Sequence, residues 1–575
     1  MTSDALTRDL RLWPGVALAA LLVLVRYVLV IFVPSTALFA APVAGLVLGL
    51  LILLWWMFAS RAPWSERWLV LGAIAVFATV TRFLLHESVA QSAGGMLYMI
   101  YVVPLIAVAL VAWAALSRGW KDGPRRLALV AAVAAVCVPF TLLQSPGMLG
   151  TGQAEFGWRW STAAEDRLVP GASRGASGAG AVGEMRWPGF RGPGRDSTLR
   201  GTNIATDWQA SPPVELWRRP VGPGWSSFAV AGDVLYTQEQ RGDSEVVSAY
   251  RVSTGEPVWE HSDEARFWEA MGGVGPRATP AVHGDRVYAL GATGVLNALD
   301  AATGDLVWTR NLATDTGAAV PEWGFSGSPL VHVGADTGER VIVTASGAMA
   351  AYDAATGEPI WGDAGTTDGE AYVSPVVATL GGIEQLVLLS PLGAAGVALQ
   401  NGLVIWQYER GGQPIVQPAI TAAGELLIGA TESMGGSGVI KLDIGHGPTG
   451  WAVEEAWESN RLKPYFNDYV VHEGHAYGFD GSIMAAIDLE QGRRAWKGGR
   501  YGHGQLLLLA DQDLLLVLSE DGELVLVSAT PERHEEIAKV PAIEGKTWNH
   551  PVLIDDVLLV RNAEEMAAFR LAADG

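Results

Sequence analysis

The chain is poor in cysteine and poor in charge. It has 575 residues and a single cysteine, Cys137, which excludes a disulfide framework and any cysteine-rich metal site. Its histidines lack the close spacing of a metal centre, and His472 and His475 read as neighbours on an exposed strand. Only 17% of residues are charged, against about one quarter in an ordinary soluble domain, so the chain is membrane-associated or built of two unlike parts. Basic charge is scarce and unevenly spread. Residues 1–150 carry ten Lys/Arg and five Asp/Glu, net +5, whereas the remainder carries 29 basic and 55 acidic residues, net −26. A body so acidic is a poor phosphate binder, which disfavours nucleic acid as a partner.

Long apolar runs are present, and all fall in the first 150 residues. Five are near the ~20 residues needed to span hydrocarbon: Pro14–Val33, Ala37–Ser60, Trp68–Leu85, Met96–Leu116 and Leu127–Leu143. A cleaved signal peptide does not explain them, because four runs follow the first. The loop charges set the orientation. Arg8 and Arg11 precede the first run, Arg61 and Arg67 separate the second and third, and Arg118, Lys121, Arg125 and Arg126 separate the fourth and fifth. These fall on one side if the N-terminus is cytoplasmic. Five crossings then place the C-terminal part outside, which is the periplasm in a bacterium with two membranes. The anchor is expected over 1–144 in the lipid bilayer of the cytoplasmic membrane. Arg26 sits inside the first run, where a charge is costly. It reads either as a contact to a quinone or lipid headgroup or as an arginine facing the bundle. Arg82 reads as an interface anchor and Cys137 as a small core residue.

Residues 145–185 include Gly171-Ala172-Ser173-Arg174-Gly175-Ala176-Ser177-Gly178-Ala179-Gly180, too poor in apolar bulk to offset ordering entropy. A flexible linker is expected there. From 186 to 575 a phrase repeats: Ala249-Tyr250-Arg251-Val252-Ser253-Thr254-Gly255-Glu256-Pro257-Val258-Trp259, then 298–308 and 351–361, with weaker copies ending at Trp406, Trp457 and Trp496. A period of about 40–50 residues with short alternating strands predicts four-stranded propeller blades. Asp and Thr bracket a tight turn, Gly supplies its positive φ, and the indole at the end of the next strand can wedge between blades. A second signal counts them: Ser227, Thr279, Ser328, Ser374, Gln417, Asn467, Gln505 and His550 each precede an inner strand. Eight starts imply eight blades. The last blade lacks its Trp, which Trp217 can supply by pairing the N- and C-terminal strands and closing the ring. The expected fold is thus an all-β eight-bladed propeller preceded by an α-helical five-span membrane domain.

The Ala-x-Asp-x-x-Thr-Gly-x-x-x-Trp phrase resembles the tryptophan-docking repeat of the PQQ-like propellers, a superfamily of quinoprotein alcohol and glucose dehydrogenases and the non-enzymatic BamB lipoprotein. The opening Trp187-Pro188-Gly189-Phe190-Arg191-Gly192-Pro193-Gly194-Arg195-Asp196 is similar to a segment of many bacterial proteins of this kind. The anchor followed by an outer propeller also looks like membrane-bound PQQ glucose dehydrogenase. One cysteine cannot form the vicinal pair of the alcohol dehydrogenases, and the family's calcium-binding and catalytic carboxylate segment has no clear copy here.

Inner-strand starts converge on one mouth of a propeller channel. Arg277, Glu322 with Trp323, Glu370 with Tyr372, Gln417, Asn467 with Asp468, His503 with Gln505, and Asn549 with His550 are therefore expected as neighbours. A quinone would want a basic group on its carboxylates and an aromatic face. A divalent cation would want carboxylate and amide oxygens. A dehydrogenase would want a carboxylate or His base. Asp468 and His550 are the candidate catalytic pair, and Arg277, Trp323, Asn467 and Asn549 the candidate cofactor contacts, for PQQ with Ca²⁺ if one is bound. The competing reading is a wet channel whose polar residues satisfy strand ends. Asp300, Asp353 and Asp488 read as turn residues. The favoured function is a membrane-anchored binding or scaffold module of the cell envelope with an envelope protein as partner. The alternative is a PQQ-dependent alcohol or sugar dehydrogenase passing electrons to membrane quinone.

Overall fold

The computed structural model describes residues 10–29, 40–92, 94–150, 152–162, 164–168, 182–365, 368–432 and 435–573. The chain divides into two units: Met1–Ser161 with Glu269–Gly273, and Thr162–Trp268 with Val274–Gly575.

The first unit is helical. Among the described residues four helices are long and apolar enough to cross a membrane: Ala40–Phe58, Trp64–Leu84, Leu97–Leu116 and Asp122–Leu142. A shorter apolar helix covers Trp13–Val28, and the rest of the first expected run, 30–33, lies outside the described residues. Two helices begin earlier than the hydropathy suggests, at Trp64 rather than Trp68 and at Asp122 rather than Leu127. One ion pair explains both. Arg125 Nε donates to Glu66 Oε1 at 3.2 Å, and its Nη1 donates to the Ser117 carbonyl and Oγ at 2.8 and 2.9 Å. Arg125 is 0% and Glu66 3% exposed. The sequence places Arg125 in a loop; the structure buries it, because a charge with a hydrogen-bonded partner can enter a helix interface.

Part of the stretch expected as linker carries short structure. Leu143–Gln144 pairs with Gly157–Trp158, and Phe156 packs edge-on against Tyr101 at 5.2 Å. The aromatic residues of this stretch give it surface to bury, which the small residues of 171–180 lack. That Gly/Ala/Ser run lies outside the described residues.

The second unit is the eight-bladed propeller. Blade 1 spans Ala229–Ala231 to Pro257–Asp263, and blades 2 to 7 begin at Ala281, Leu330, Val376, Ala419, Val470 and Gln505. Blade 8 takes its three inner strands from Val552–Ile554, Val557–Arg561 and Glu565–Arg570, and its outer strand from Val214–Pro220. Trp217 stands opposite Ala568 in that antiparallel pair. The ring is therefore closed by the first and last strands, as Trp217 implies.

The repeated phrase builds most of the seams; the outer strand of blade 7, Glu536–Pro541, carries no Trp. The Trp217 indole donates to Val252 O at 2.7 Å, Trp259 to Ala301 O at 2.9 Å and Trp308 to Ala354 O at 3.0 Å. Each indole also lies under the turn glycine of the following blade. A Cβ on Gly304, at φ +77°, would stand 2.5 Å from Trp259, and one on Gly357 2.6 Å from Trp308. The phrase thus needs glycine for both its turn and its seat. Asp300 and Asp353 accept the backbone N–H groups of Thr303 and Thr356, which confirms them as turn residues. Blade 5 departs from the pattern. Its outer hairpin, Gly435–Gly447 with Gly450–Ser459, turns without the Asp-x-x-Thr-Gly phrase, and Trp406 donates to Gln385 of its own blade at 2.5 Å.

Candidate functional site

The eight inner-strand starts do converge, and they bond to one another. Thr279 Oγ1 accepts the N–H of Ser227, Ser328 Oγ that of Thr279, and Ser374 Oγ that of Ser328, each at 2.9 Å. Gln417 Oε1 accepts from Ser374 N at 3.2 Å, and Asp468 Oδ1 from Gln417 N at 2.8 Å. Gln505 Nε2 donates to the carbonyls of Phe466 and Trp548, both at 3.1 Å, and Ser227 Oγ donates to His550 O at 2.6 Å. Seven of the eight residues before the inner strands thus bond a neighbouring blade; Asn467 instead accepts from Tyr465 N of its own loop, and the adjacent Asp468 makes the inter-blade bond. Strand starts that would otherwise hold unpaired buried N–H groups are satisfied in this way.

Inside this ring the channel holds the chain's own opening segment. Met185–Trp187 pairs antiparallel with the inner strand of blade 1, and Thr198–Leu199 parallel with that of blade 7. Between them the segment crosses the channel. Pro188 O accepts from Val282 N at 2.8 Å, and Arg195 donates to Ser328 O and Pro329 O at 3.1 and 3.0 Å. Arg191 is 2% exposed. Its Nε donates to Ser197 Oγ at 2.8 Å, and its Nη2 to Asp196 O and Tyr469 O at 3.1 and 3.0 Å. Arg191, Arg195 and Ser197 have φ of 63°, 53° and 59°, a left-handed conformation costly for residues with a Cβ. The surrounding contacts hold that strain.

The structure brings the candidate catalytic pair together. His550 Nε2 lies 3.6 Å from Asp468 Oδ2, and Arg191 Nε lies 3.5 Å from the same oxygen. Phe190 meets the His550 ring edge-on at 4.9 Å. Burial raises the Asp468 carboxyl pKa, against the pull of Arg191 and the Gln417 N–H. Burial, then Arg191, holds His550 well below its usual value. A neutral imidazole and a carboxylate committed to a guanidinium and a backbone N–H result.

The candidate cofactor contacts are dispersed. Asn467 is 0% exposed and accepts from Tyr465 N at 3.1 Å. Asn549 donates to Gly224 O and Ser226 O at 3.2 and 2.7 Å. Arg277 bonds Gly275 O at 2.7 Å and lies over Phe267 at 5.2 Å. Trp323 stacks on Tyr372 at 4.8 Å. These residues do not fit PQQ with Ca²⁺. Asp468 is already bonded, Glu370 accepts from Tyr372 and Gln413, the two asparagines hold loop backbone, and one face of Trp323 is covered by Tyr372. The polar atoms left unpaired there, Asn467 Nδ2, Gln505 Oε1, Asn549 Oδ1 and His550 Nδ1, suit buried water. The clefts of about 750 and 530 Å³ lie elsewhere, one beside Ser459, Arg461 and Arg494 and one beside Trp208 and Lys539. His472 pairs with Asp513 at 2.6 Å, and with Glu473 these form an acidic group on blades 6 and 7.

Above the bonded ring, loop aromatics form a continuous belt across the mouth. Trp323 meets Tyr465 at 6.4 Å, Tyr465 meets Phe466 at 5.1 Å, Phe466 meets Trp548 at 4.5 Å, and Trp548 meets Trp225 at 4.7 Å. Phe466 also stacks on His503 at 4.9 Å. Lys546 Nζ lies 4.8 Å over Trp548. Fixed carboxylates brace the belt: Glu370 accepts from Tyr372 and Gln413 at 2.7 and 3.0 Å, and Glu520 from Trp548 Nε1 at 2.9 Å. Rigid, half-buried rings with a polar rim are the composition of a protein-binding surface. The sequence points to Trp323, Asp468 and His550 but not to Arg191, whose only signal is an arginine pair in a Gly/Pro segment.

Comparison with known proteins gives one consistent set. The family described as outer membrane protein assembly factor BamB matches residues 206–370 and 243–497. The protein of that name from Burkholderia pseudomallei is 26% identical over 280 residues, 46% of this chain and 66% of its own length. Among solved structures, BamB from Moraxella catarrhalis is similar with a TM-score of 0.46 and 16% identity, over 63% of this chain and 99% of that one. A europium-containing methanol dehydrogenase gives 0.41 and 11%, over 67% and 98%.

Proposed function

Because the chain belongs to the family of outer membrane protein assembly factor BamB, we propose that it is a membrane-anchored envelope scaffold that binds other envelope proteins at the aromatic mouth of its propeller. The anchor lies in the cytoplasmic membrane, the N-terminus is cytoplasmic, and the propeller is outside. One observation carries the binding reading: the channel a dehydrogenase would need open is occupied by Arg191 and its neighbours, and Asp468 and His550 are committed to them. What remains accessible is the belt of Trp225, Trp323, Phe466 and Trp548. Aromatic faces bury much area at small entropy cost, and Lys546 adds a cation at the rim.

The test uses full-length protein in detergent and an unfolded outer-membrane β-barrel protein as probe. Tryptophan fluorescence changes saturably on titration, and Trp548→Ala weakens binding by about tenfold or more, a loss of about 1.4 kcal/mol typical of a central anchor. Equal binding by Trp548→Ala and Trp323→Ala variants removes the mouth from the account. A reporter fused after Gly575 that is active only in the cytoplasm overturns the orientation.

A further inference from the structure

Among the described residues of the helical unit two arginines are buried, and they differ completely in their surroundings. Arg125 has the Glu66 carboxylate, the Ser117 carbonyl and hydroxyl, and the Trp113 ring at 4.4 Å. Arg26 is 8% exposed, and its Nε is buried without a hydrogen-bond partner. Among the described residues its guanidinium meets two ring faces, Tyr101 at 5.3 Å and Tyr27 at 5.7 Å. Such contacts offset only a small part of what an uncompensated charge costs in a low-dielectric interior. No carboxylate lies nearby in sequence: residues 13–59 contain no Asp or Glu.

The backbone is shaped around this residue. Leu24–Val28 forms a π-helical turn with Arg26 at its centre, a rare departure that recurs at functional positions. Gly45 makes room opposite, since a Cβ there would stand 3.2 Å from Arg26 Cδ. Arg26 lies 13 residues beyond Trp13, about 20 Å along the helix. Tyr101 and Gly45 each lie near the helix end away from the basic loops, so the guanidinium sits roughly a turn or two below the outer interface. That depth is within reach of an outer-leaflet phosphate.

We propose that Arg26 is the anion ligand of an intramembrane lipid site and takes the phosphate of an anionic phospholipid headgroup, with Tyr27 and Tyr101 flanking it. A phosphate supplies the charge and acceptors that Arg26 lacks, and Arg forms paired hydrogen bonds to it. The inference rests on the membrane reading of the helices.

Full-length protein is purified in detergent, delipidated, and offered dioleoylphosphatidylglycerol, dioleoylphosphatidylcholine or inorganic phosphate, with bound lipid read by native mass spectrometry and stability by thermal melting. The wild type retains phosphatidylglycerol preferentially and melts several degrees higher with it. Arg26→Gln lowers retention about tenfold and abolishes the shift, Arg26→Lys keeps part of both, and Arg26→Gln without lipid melts no lower than the wild type. Equal retention by wild type and Arg26→Gln, equal retention of phosphatidylcholine, or an equal shift with inorganic phosphate overturns the proposal. Release of the protein from membranes by carbonate without detergent is a separate result, and it would sink the membrane reading instead.

Discussion

Replacing Arg191 by Met removes the cation at the centre of the channel and leaves Asp468 buried with a backbone N–H and His550. Arg191 and Asp468 form a buried ion pair at 3.5 Å, and breaking such a pair from one side costs about 3–5 kcal/mol. For a propeller of this size each kcal/mol moves Tm on the order of 1–2 °C, so the variant melts roughly 3–10 °C lower at pH 8. The pH dependence carries the sharper test. In the wild type the His550 pKa is depressed by burial and by Arg191. Its contribution to stability is present above its unfolded value of about 6.5 and is lost as pH falls below that. The Asp468 pKa is raised, so its contribution is greatest at low pH and is lost as pH rises through the folded value. Without Arg191 both pKa values move up, and the pair, 3.6 Å apart, takes up a proton between them. The wild type weakens from pH 8 to 5.5 while the variant weakens less, and the gap narrows. Near-UV circular dichroism melts across that range read it directly. A gap that stays constant with pH, or one below about 1 kcal/mol at pH 8, refutes the geometry argued for this cluster.

Other perturbations follow from the same structure. Trp217→Ala removes the indole that seals the seam between blades 8 and 1 and costs about 3–5 kcal/mol; limited proteolysis should then cut between 201 and 220, and unchanged resistance contradicts ring closure by that strand. Glu245 is 5% exposed, and burial, opposed by the Ala292 N–H, raised by Asp263 and lowered by Arg277, pushes its pKa to about 7. Its raised value means stability is full below about pH 4 and is lost as pH rises through 7, so Glu245→Gln gains roughly 3 kcal/mol at pH 8 and flattens the Tm profile between pH 5 and 8. A variant profile parallel to that of the wild type counts against this.

The propeller is legible in the sequence because each of its devices is local. The Asp-x-x-Thr-Gly turn and the Trp that follows lie within one phrase of eleven residues, and Trp217 supplies the indole of blade 8. The inner-strand starts are equally regular, so their positions can be read. That they bond to one another cannot, since Ser227 and His550 meet only when the ring closes. Arg191 is harder still. Its partner Asp468 is 277 residues away, and the intervening chain gives no sign that the two share a channel. The early starts of the helices at Trp64 and Asp122 are hidden for the same reason: Arg125 reads as a loop charge until it is seen to pair with Glu66. Blade 5 marks the limit of the repeat, where a longer hairpin replaces the turn that would have seated Trp406.

Equilibrium dialysis of the full-length protein against PQQ and Ca²⁺ addresses the filled channel most directly. With Arg191 on Asp468, the protein takes up no stoichiometric quinone at tens of micromolar. Saturable one-to-one uptake that depends on Ca²⁺ and is lost in Asp468→Ala would mean that the segment from Trp187 to Ser197 leaves the channel, and that the chain is a quinoprotein.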